Sequence, residues 1–175
     1  MSTKLILTGH DYSGKSSVLS RIWKEKNDGK MSYIHLSYRE PTNKEFYSNT
    51  LEFSNFIMDR CFLDELIYPI VFGRKQNLSR LEARELVDKC RDKKIPIIIL
   101  TCSEEEIMNR IVKRKEVEEE PEVLKNILLI KDMYKQVADY YGLPVIDTTG
   151  KTIEEVYEEV EDYLREYNRD FVIRY

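Results

Sequence analysis

The stretch Gly9-His10-Asp11-Tyr12-Ser13-Gly14-Lys15-Ser16 constrains this chain more tightly than anything else in it. Two glycines frame four residues, and a lysine and a serine follow the second glycine directly. Without a Cβ, glycine lets the backbone wrap so that successive N–H groups point inward at one anion. The lysine adds positive charge beside the terminal phosphates of a nucleotide, and the serine hydroxyl is placed to ligate Mg2+. The flanks agree with this. Lys4-Leu5-Ile6-Leu7-Thr8 reads as a buried strand, and Ser16 to about Lys26 as a helix with Val18, Leu19, Ile22 and Trp23 on one face. Strand, glycine loop and helix together make a P-loop, with the helix N-terminus facing the same anion. Gly9, Asp11, Tyr12, Ser13, Gly14, Lys15, Ser16 and Ser17 are therefore expected around the phosphates of ATP, with Mg2+ at Ser16.

Beyond the loop, short apolar runs alternate with longer amphipathic segments. Met31 to Tyr38 reads as a second strand, ended by Arg39-Glu40-Pro41, and a polar stretch follows in which no element is predicted. Asn55 to Met58 is a third strand, closed by Asp59-Arg60. Phe62 to Phe72 is expected to be helical, kinked or broken at Pro69. Leu78 to Lys93 reads as helix, and Ile95 to Leu100 as a strand buried on both faces. Ser103 with Glu106 has the capping-box form and starts a helix to about Lys115. After the acidic run 116–120, Pro121 opens a helix to Tyr141. Val145-Ile146 is a fifth strand, and Thr152 to Tyr167 a last helix with Thr152 and Glu155 at its cap. Strands alternating with helices predict a single α/β domain over residues 1–175: a three-layer α/β/α sandwich around a five-stranded parallel sheet.

Bulk properties narrow the partners. The net charge of −4, with 34% charged residues of both signs, argues against nucleic acid as the main partner, since phosphate-backbone binding calls for a basic balance. No apolar run is long enough to span a bilayer, so no membrane association is expected. Cys61, Cys90 and Cys102 form no Cys-x-x-Cys pair and read as buried small hydrophobes in a reducing cytoplasm.

A P-loop alone names no reaction, but three further segments resemble the thymidylate kinase family of nucleoside monophosphate kinases. That family favours an acidic residue where Asp11 stands. Arg39-Glu40-Pro41 looks like its Arg-Glu-Pro motif, and Asp59-Arg60 matches its Asp-Arg motif after the third strand. A strand, the Ser103-Glu104-Glu105-Glu106 helix start and a basic segment resemble its approach to a lid, placed here at about 109–121. The resemblance covers most of the chain. It implies ATP and Mg2+ as cofactors and the reaction dNMP + ATP to dNDP + ADP, with a deoxynucleotide as partner.

Phosphoryl transfer between two anions needs charge neutralisation and in-line positioning, and the resemblance assigns those tasks. Asp59 would hold Mg2+ with Ser16, directly or through water. Arg60 and Arg39 would grip the acceptor's phosphate, a task suited to a planar bidentate donor. Asp11 would accept from the acceptor's sugar hydroxyl. Arg110, Lys113 and Arg114 would close over the transferring group. Tyr12 stands where some relatives carry an arginine, so this charge falls to the lid. Lys15, Asp59, Arg60, Arg110 and Arg114 are thus the expected catalytic set. Adenine is expected near the loop 147–151 and the base of the lid helix, at Asp147, Thr148 and Arg110.

Other readings of the same residues stay open. Asp59-Arg60 also reads as a surface ion pair, Arg39-Glu40-Pro41 as a strand end, and Arg110 and Arg114 as solvated helix charges. Tyr68 and Phe72 either line the acceptor's base pocket or pack in the core. Only residues 42–58 separate Pro41 from Asp59, where the full-length family has a longer helical insert carrying contacts to thymine. The short layout, with Leu78-Ser79-Arg80-Leu81-Glu82 after the Asp-Arg helix, is more like the compact bacteriophage members, which implies the cytoplasm of a bacterium or of an infected cell. Related kinases are commonly homodimers. Competing functions are a deoxynucleoside kinase with Asp59 as base, a kinase of DNA 5′ ends or modified bases, and a nucleotide-dependent switch. Against the switch, no Asn/Thr-Lys-x-Asp tetrad follows the fourth strand, which reads Leu100-Thr101-Cys102-Ser103.

Overall fold

The computed structural model describes residues 3–36, 42–114 and 121–172. Its strands are β1 (Lys4–Gly9), β2 (Ser32–His35), β3 (Phe56–Asp59), β4 (Ile97–Thr101) and β5 (Val145–Asp147). All pair in parallel, in the order β2-β3-β1-β4-β5. The helices are α1 (Lys15–Lys26), α2 (Lys44–Thr50), α3 (Tyr68–Val71), α4 (Arg80–Asp92), α5 (Glu104–Lys113), α6 (Pro121–Tyr141) and α7 (Ile153–Val172). The chain leaves β1 toward β2 on one side and returns past β1 to β4 on the other. The carboxyl ends of β1 and β3 therefore flank the crevice where open α/β sheets bind ligands.

Strand pleating splits the interior into two cores. Leu5 and Leu7 point to the face covered by α1 and α7, where they meet Leu19, Ile22, Ile57, Ile98 and Val160. Ile6 points the other way, toward Phe56, Met58, Phe62, Leu86 and Val87 under α2 and α4. A third cluster joins Ile99 to Tyr68, Ile130, Tyr134 and Ala138. Leu5, Ile6 and Leu7 are all fully buried. A run of three such side chains, each worth about 1.5–3 kcal/mol on burial, makes β1 the rigid mount of the loop that follows it.

Differences from the sequence reading have local causes. The segment expected as one helix from Phe62 to Phe72 is a 3-10 turn at Asp64–Leu66 followed by α3. Pro69 sits in the first turn of α3, where its missing N–H costs nothing, but a helix cannot run back through it. α2 was not predicted. It is one short helix started by Asn43, whose side chain accepts from the Phe46 N–H at 2.9 Å. β2 ends at His35, short of Tyr38. α7 runs on past Tyr167 to Val172.

The caps vary. Thr152 and Glu155 complete their box, as do Ser79 and Glu82 at α4. Ser103 caps Glu106 at 3.1 Å, but the Glu106 carboxylate goes to Arg110 and the Ser103 N–H to Thr149. Among the described residues no helix is long and apolar enough to cross a membrane.

Candidate functional site

The loop after β1 is shaped by side chains that sequence spacing does not display. At Gly9, with φ 146°, a Cβ would lie 2.2 Å from the Leu100 carbonyl oxygen, so only glycine fits against β4. Gly14 caps α1 at φ 91°. Tyr12 is also left-handed, at φ 64°, a conformation that costs a non-glycine residue roughly 1–2 kcal/mol. Its surroundings impose it. The ring is buried with Cys102, Ile107 and Ile127, and its carbonyl accepts from Arg110 Nη1 at 2.8 Å.

His10 is fully buried and staples the loop to the end of β4. The Cys102 N–H donates to Nε2 at 3.3 Å, so Nδ1 carries the proton and donates to the Asp11 carbonyl at 2.7 Å. Burial lowers its pKa to about 4, which keeps the ring neutral.

Lys15 is only 5% exposed, and its Nζ donates to the His10 carbonyl at 3.2 Å. Burial pulls the ammonium below its usual range, and the charge of Arg60 adds to the pull. A phosphate at this spot would supply the missing counter-charge. Beside it, Ser16 Oγ donates to Asp59 Oδ2 at 3.0 Å. Asp59 is 1% exposed, and its other oxygen, Oδ1, is buried with no hydrogen-bond partner. A hydroxyl and an orphaned carboxylate oxygen side by side fit Mg2+, which takes few protein oxygens and completes its shell with water and phosphate.

On the far side of the loop, two predicted acceptor residues hold each other. Arg60, left-handed at φ 70°, donates from Nη2 to Asp11 Oδ1 at 2.6 Å. The Tyr68 hydroxyl donates to Asp11 Oδ2 at 2.8 Å, and the Arg60 guanidinium lies over the Tyr68 ring at 5.0 Å. Burial works against the Asp11 carboxylate, but Lys15 and Arg60 outweigh it and hold the pKa below its ordinary value. The Phe72 ring lies 6.0 Å from that of Tyr68 and packs half-buried against the third cluster. Arg39 lies outside the described residues.

Beneath this pair is Asp64, which the sequence reading missed. Thr8 Oγ1 and the Tyr134 hydroxyl both donate to its Oδ1 at 2.8 Å, while Oδ2 is buried with no partner. Burial raises its carboxyl pKa. In sequence Asp64 is one more acid on an apolar segment; only the approach of α6 to β1 gives it partners.

The loop also borders a cavity of about 420 Å3 between it, α5 and the start of α7, lined among others by Ser17, Val18, Lys113, Arg114 and Thr152. Arg110 closes one wall. It donates to Glu106 at 2.7 Å, to the Tyr12 carbonyl, to Thr148 Oγ1 at 3.0 Å and to the Thr148 carbonyl at 2.9 Å. The Arg114 guanidinium lies 5.4 Å from the Tyr12 ring centre. Thr148 lines the cavity, with its hydroxyl 2.9 Å from the Ser13 carbonyl. Asp147 does not line it; its Oδ1 accepts from the Thr149 N–H and hydroxyl at 2.9 and 2.6 Å. Of the expected lid, residues 115–120 lie outside the described set.

A parallel sheet in this strand order, a P-loop after β1 and an Asp-Arg pair at the end of β3 define the class: an α/β domain with a P-loop. No family model matches the chain. Among curated proteins it is 30% identical over 109 residues to a probable thymidylate kinase of Methanocaldococcus jannaschii, a match covering 62% of this chain and 53% of that protein. The chain thus spans about half the length of the curated relative it matches.

Two solved structures share the fold over nearly the whole chain. YorR of Bacillus subtilis, in complex with phosphorylated GDP, superposes with a TM-score of 0.75 at 22% identity, covering 96% of this chain and 98% of that one. Thymidylate kinase of Candida albicans does so with 0.63 at 17% identity, covering 95% and 93%. The resemblance to thymidylate-kinase-like proteins, read first from four short motifs, is therefore found again in the curated relative and in the fold.

Proposed function

We propose that this protein transfers the γ-phosphoryl group of ATP to the phosphate of a deoxynucleoside monophosphate, giving a deoxynucleoside diphosphate and ADP. The observation that carries this reading is the Asp11–Arg60 pair, built into the wall of the same cradle that holds Lys15. Opening this partly buried ion pair from one end only is costly, because the other charge is left stranded. An acceptor that brings a phosphate to Arg60 and a sugar hydroxyl to Asp11 replaces both partners at once. A nucleoside supplies the hydroxyl alone.

On the donor side, adenine occupies the cavity bounded by Arg110 and Thr152, and the loop N–H groups with Lys15 take the phosphates. Ser16 and Asp59 are the residues that would hold Mg2+, which when bound would supply charge neutralisation at the phosphates. Arg60 sets the acceptor oxygen in line with the γ-phosphorus. The attacking phosphate is already an anion, so no general base is required. Lid residues Arg110, Lys113 and Arg114 add positive charge and exclude water.

A coupled ADP-release screen over all deoxynucleoside monophosphates, ribonucleoside monophosphates and nucleosides tests the proposal. Turnover with a deoxynucleoside monophosphate is expected. Turnover with nucleosides alone would shift the base role to Asp59 and overturn the phosphate-acceptor reading, and hydrolysis unaffected by any acceptor would point to a switch.

A further inference from the structure

Asp59 is held from one side only. Ser16 Oγ at 3.0 Å, His35 Nδ1 at 3.1 Å and the Tyr33 hydroxyl at 3.4 Å all meet on Oδ2, and Oδ1 is left without a partner. The register explains the convergence. His35 pairs with Asp59 and Tyr33 with Ile57, so one face of the pleat carries Tyr33, His35 and Asp59 together. An ionised carboxylate can only accept, so His35 Nδ1 carries the proton in this bond. Neither His35 nor Tyr33 belongs to the loop, and the mechanism above uses neither.

We infer that His35, assisted by Tyr33, is a positioning residue that fixes the Asp59 carboxylate so that Oδ1 alone is presented to the metal ion. This rests on the Mg2+-nucleotide reading of the cradle. The terminal torsion of an aspartate is broad and nearly two-fold, so an unrestrained carboxylate samples both faces. Three donors on one oxygen remove that freedom. They also occupy Oδ2, which favours one-oxygen contact, suited to the small octahedral shell of Mg2+, over the two-oxygen contact that Ca2+ accepts. Groups that orient a ligating carboxylate typically affect metal affinity by about 10–100-fold. The His35 side chain is 55% exposed, so its bond is partly screened and the lower end of that range applies.

The test is calorimetric titration of ADP into the full chain, once in EDTA and once in saturating Mg2+, which isolates the metal-linked gain in affinity without turnover. His35→Leu is expected to reduce that gain about tenfold while leaving ADP affinity in EDTA unchanged. His35→Asn keeps an N–H near the Nδ1 position and should retain most of the gain. Tyr33→Phe, losing the longer bond, should have the smallest effect. A wild-type gain in His35→Leu, an Asn variant as impaired as Leu, or an equal loss in EDTA would each overturn the positioning role. A wild-type chain that binds ADP with no Mg2+-linked gain would overturn the metal reading of Ser16 and Asp59 itself.

Discussion

The two halves of the cradle differ in what they need before a ligand can enter. On the proposed donor side the walls are already braced: Arg110 ties α5 to the loop and to Thr148 beside a cavity of about 420 Å3. On the proposed acceptor side the polar groups are spent on one another, with Asp11 accepting from both Arg60 and Tyr68. On the proposed reading, the difference makes donor binding a matter of fit and acceptor binding an exchange of partners. An exchange is selective, because a ligand lacking one of the two groups leaves a partly buried charge unpaired.

The sharpest way to break the comparison is on the shared element. Lys15→Ala should lower kcat by at least about a hundredfold with the fold intact by circular dichroism, the scale of losing a transition-state donor in a water-poor site. Near-normal turnover would remove the cradle from the chemistry. Arg60→Ala should then divide the halves: acceptor KM rises and kcat falls, together about 3 kcal/mol in kcat/KM, with ATP KM little changed. Equal effects on both substrates would erase the distinction.

The staple beneath the donor side predicts a pH response. His10 has a folded pKa near 4 against 6.5 in its ordinary state, so between those values the unfolded chain binds the extra proton. Stability therefore falls as pH drops from about 6.5 to 4, by about 3 kcal/mol in urea unfolding. His10→Asn should flatten that slope.

Arg114→Ala should reduce kcat about tenfold and ATP affinity less, as measured by steady-state kinetics; a purely binding defect would count against a role for this lid residue in the transition state. The smallest effect belongs to Asp64. Its raised pKa means that the folded state holds its proton longer than the unfolded one, so its contribution is present at low pH and lost as pH rises through the folded value. Asp64→Asn keeps the acceptor for Thr8 and Tyr134 and should stabilise the protein at pH 8 by about 1 kcal/mol, or roughly 2–4 °C in Tm.

Much of this layout was legible in the sequence because it rests on local rules. Gly9 and Gly14 announce positive φ, the apolar run at Ile95–Leu100 announces a strand covered on both faces, and Thr152 with Glu155 announces a cap. What stayed hidden depends on contacts across long sequence separations. Asp64 finds Thr8 across 56 residues and Tyr134 across 70. Nothing in the local pattern at Asp11 says that Arg60 will occupy it. The position of Asp147 at the end of β5 suggests a place near the adenine, but its side chain closes its own turn through Thr149. α2 was missed because seven polar and aromatic residues carry too little periodicity to outweigh their composition.

The aromatic pair at the sheet edge has a practical consequence. Trp23 is the chain's single tryptophan, half-buried on α1, and its ring meets Tyr33 edge-on at 5.6 Å. The indole is thus one ring away from the Asp59 carboxylate. Excitation selective for the indole over the tyrosines would therefore report from a single position next to Tyr33, so intrinsic emission offers a label-free optical record of ion and nucleotide arriving, on the timescale of a stopped-flow trace.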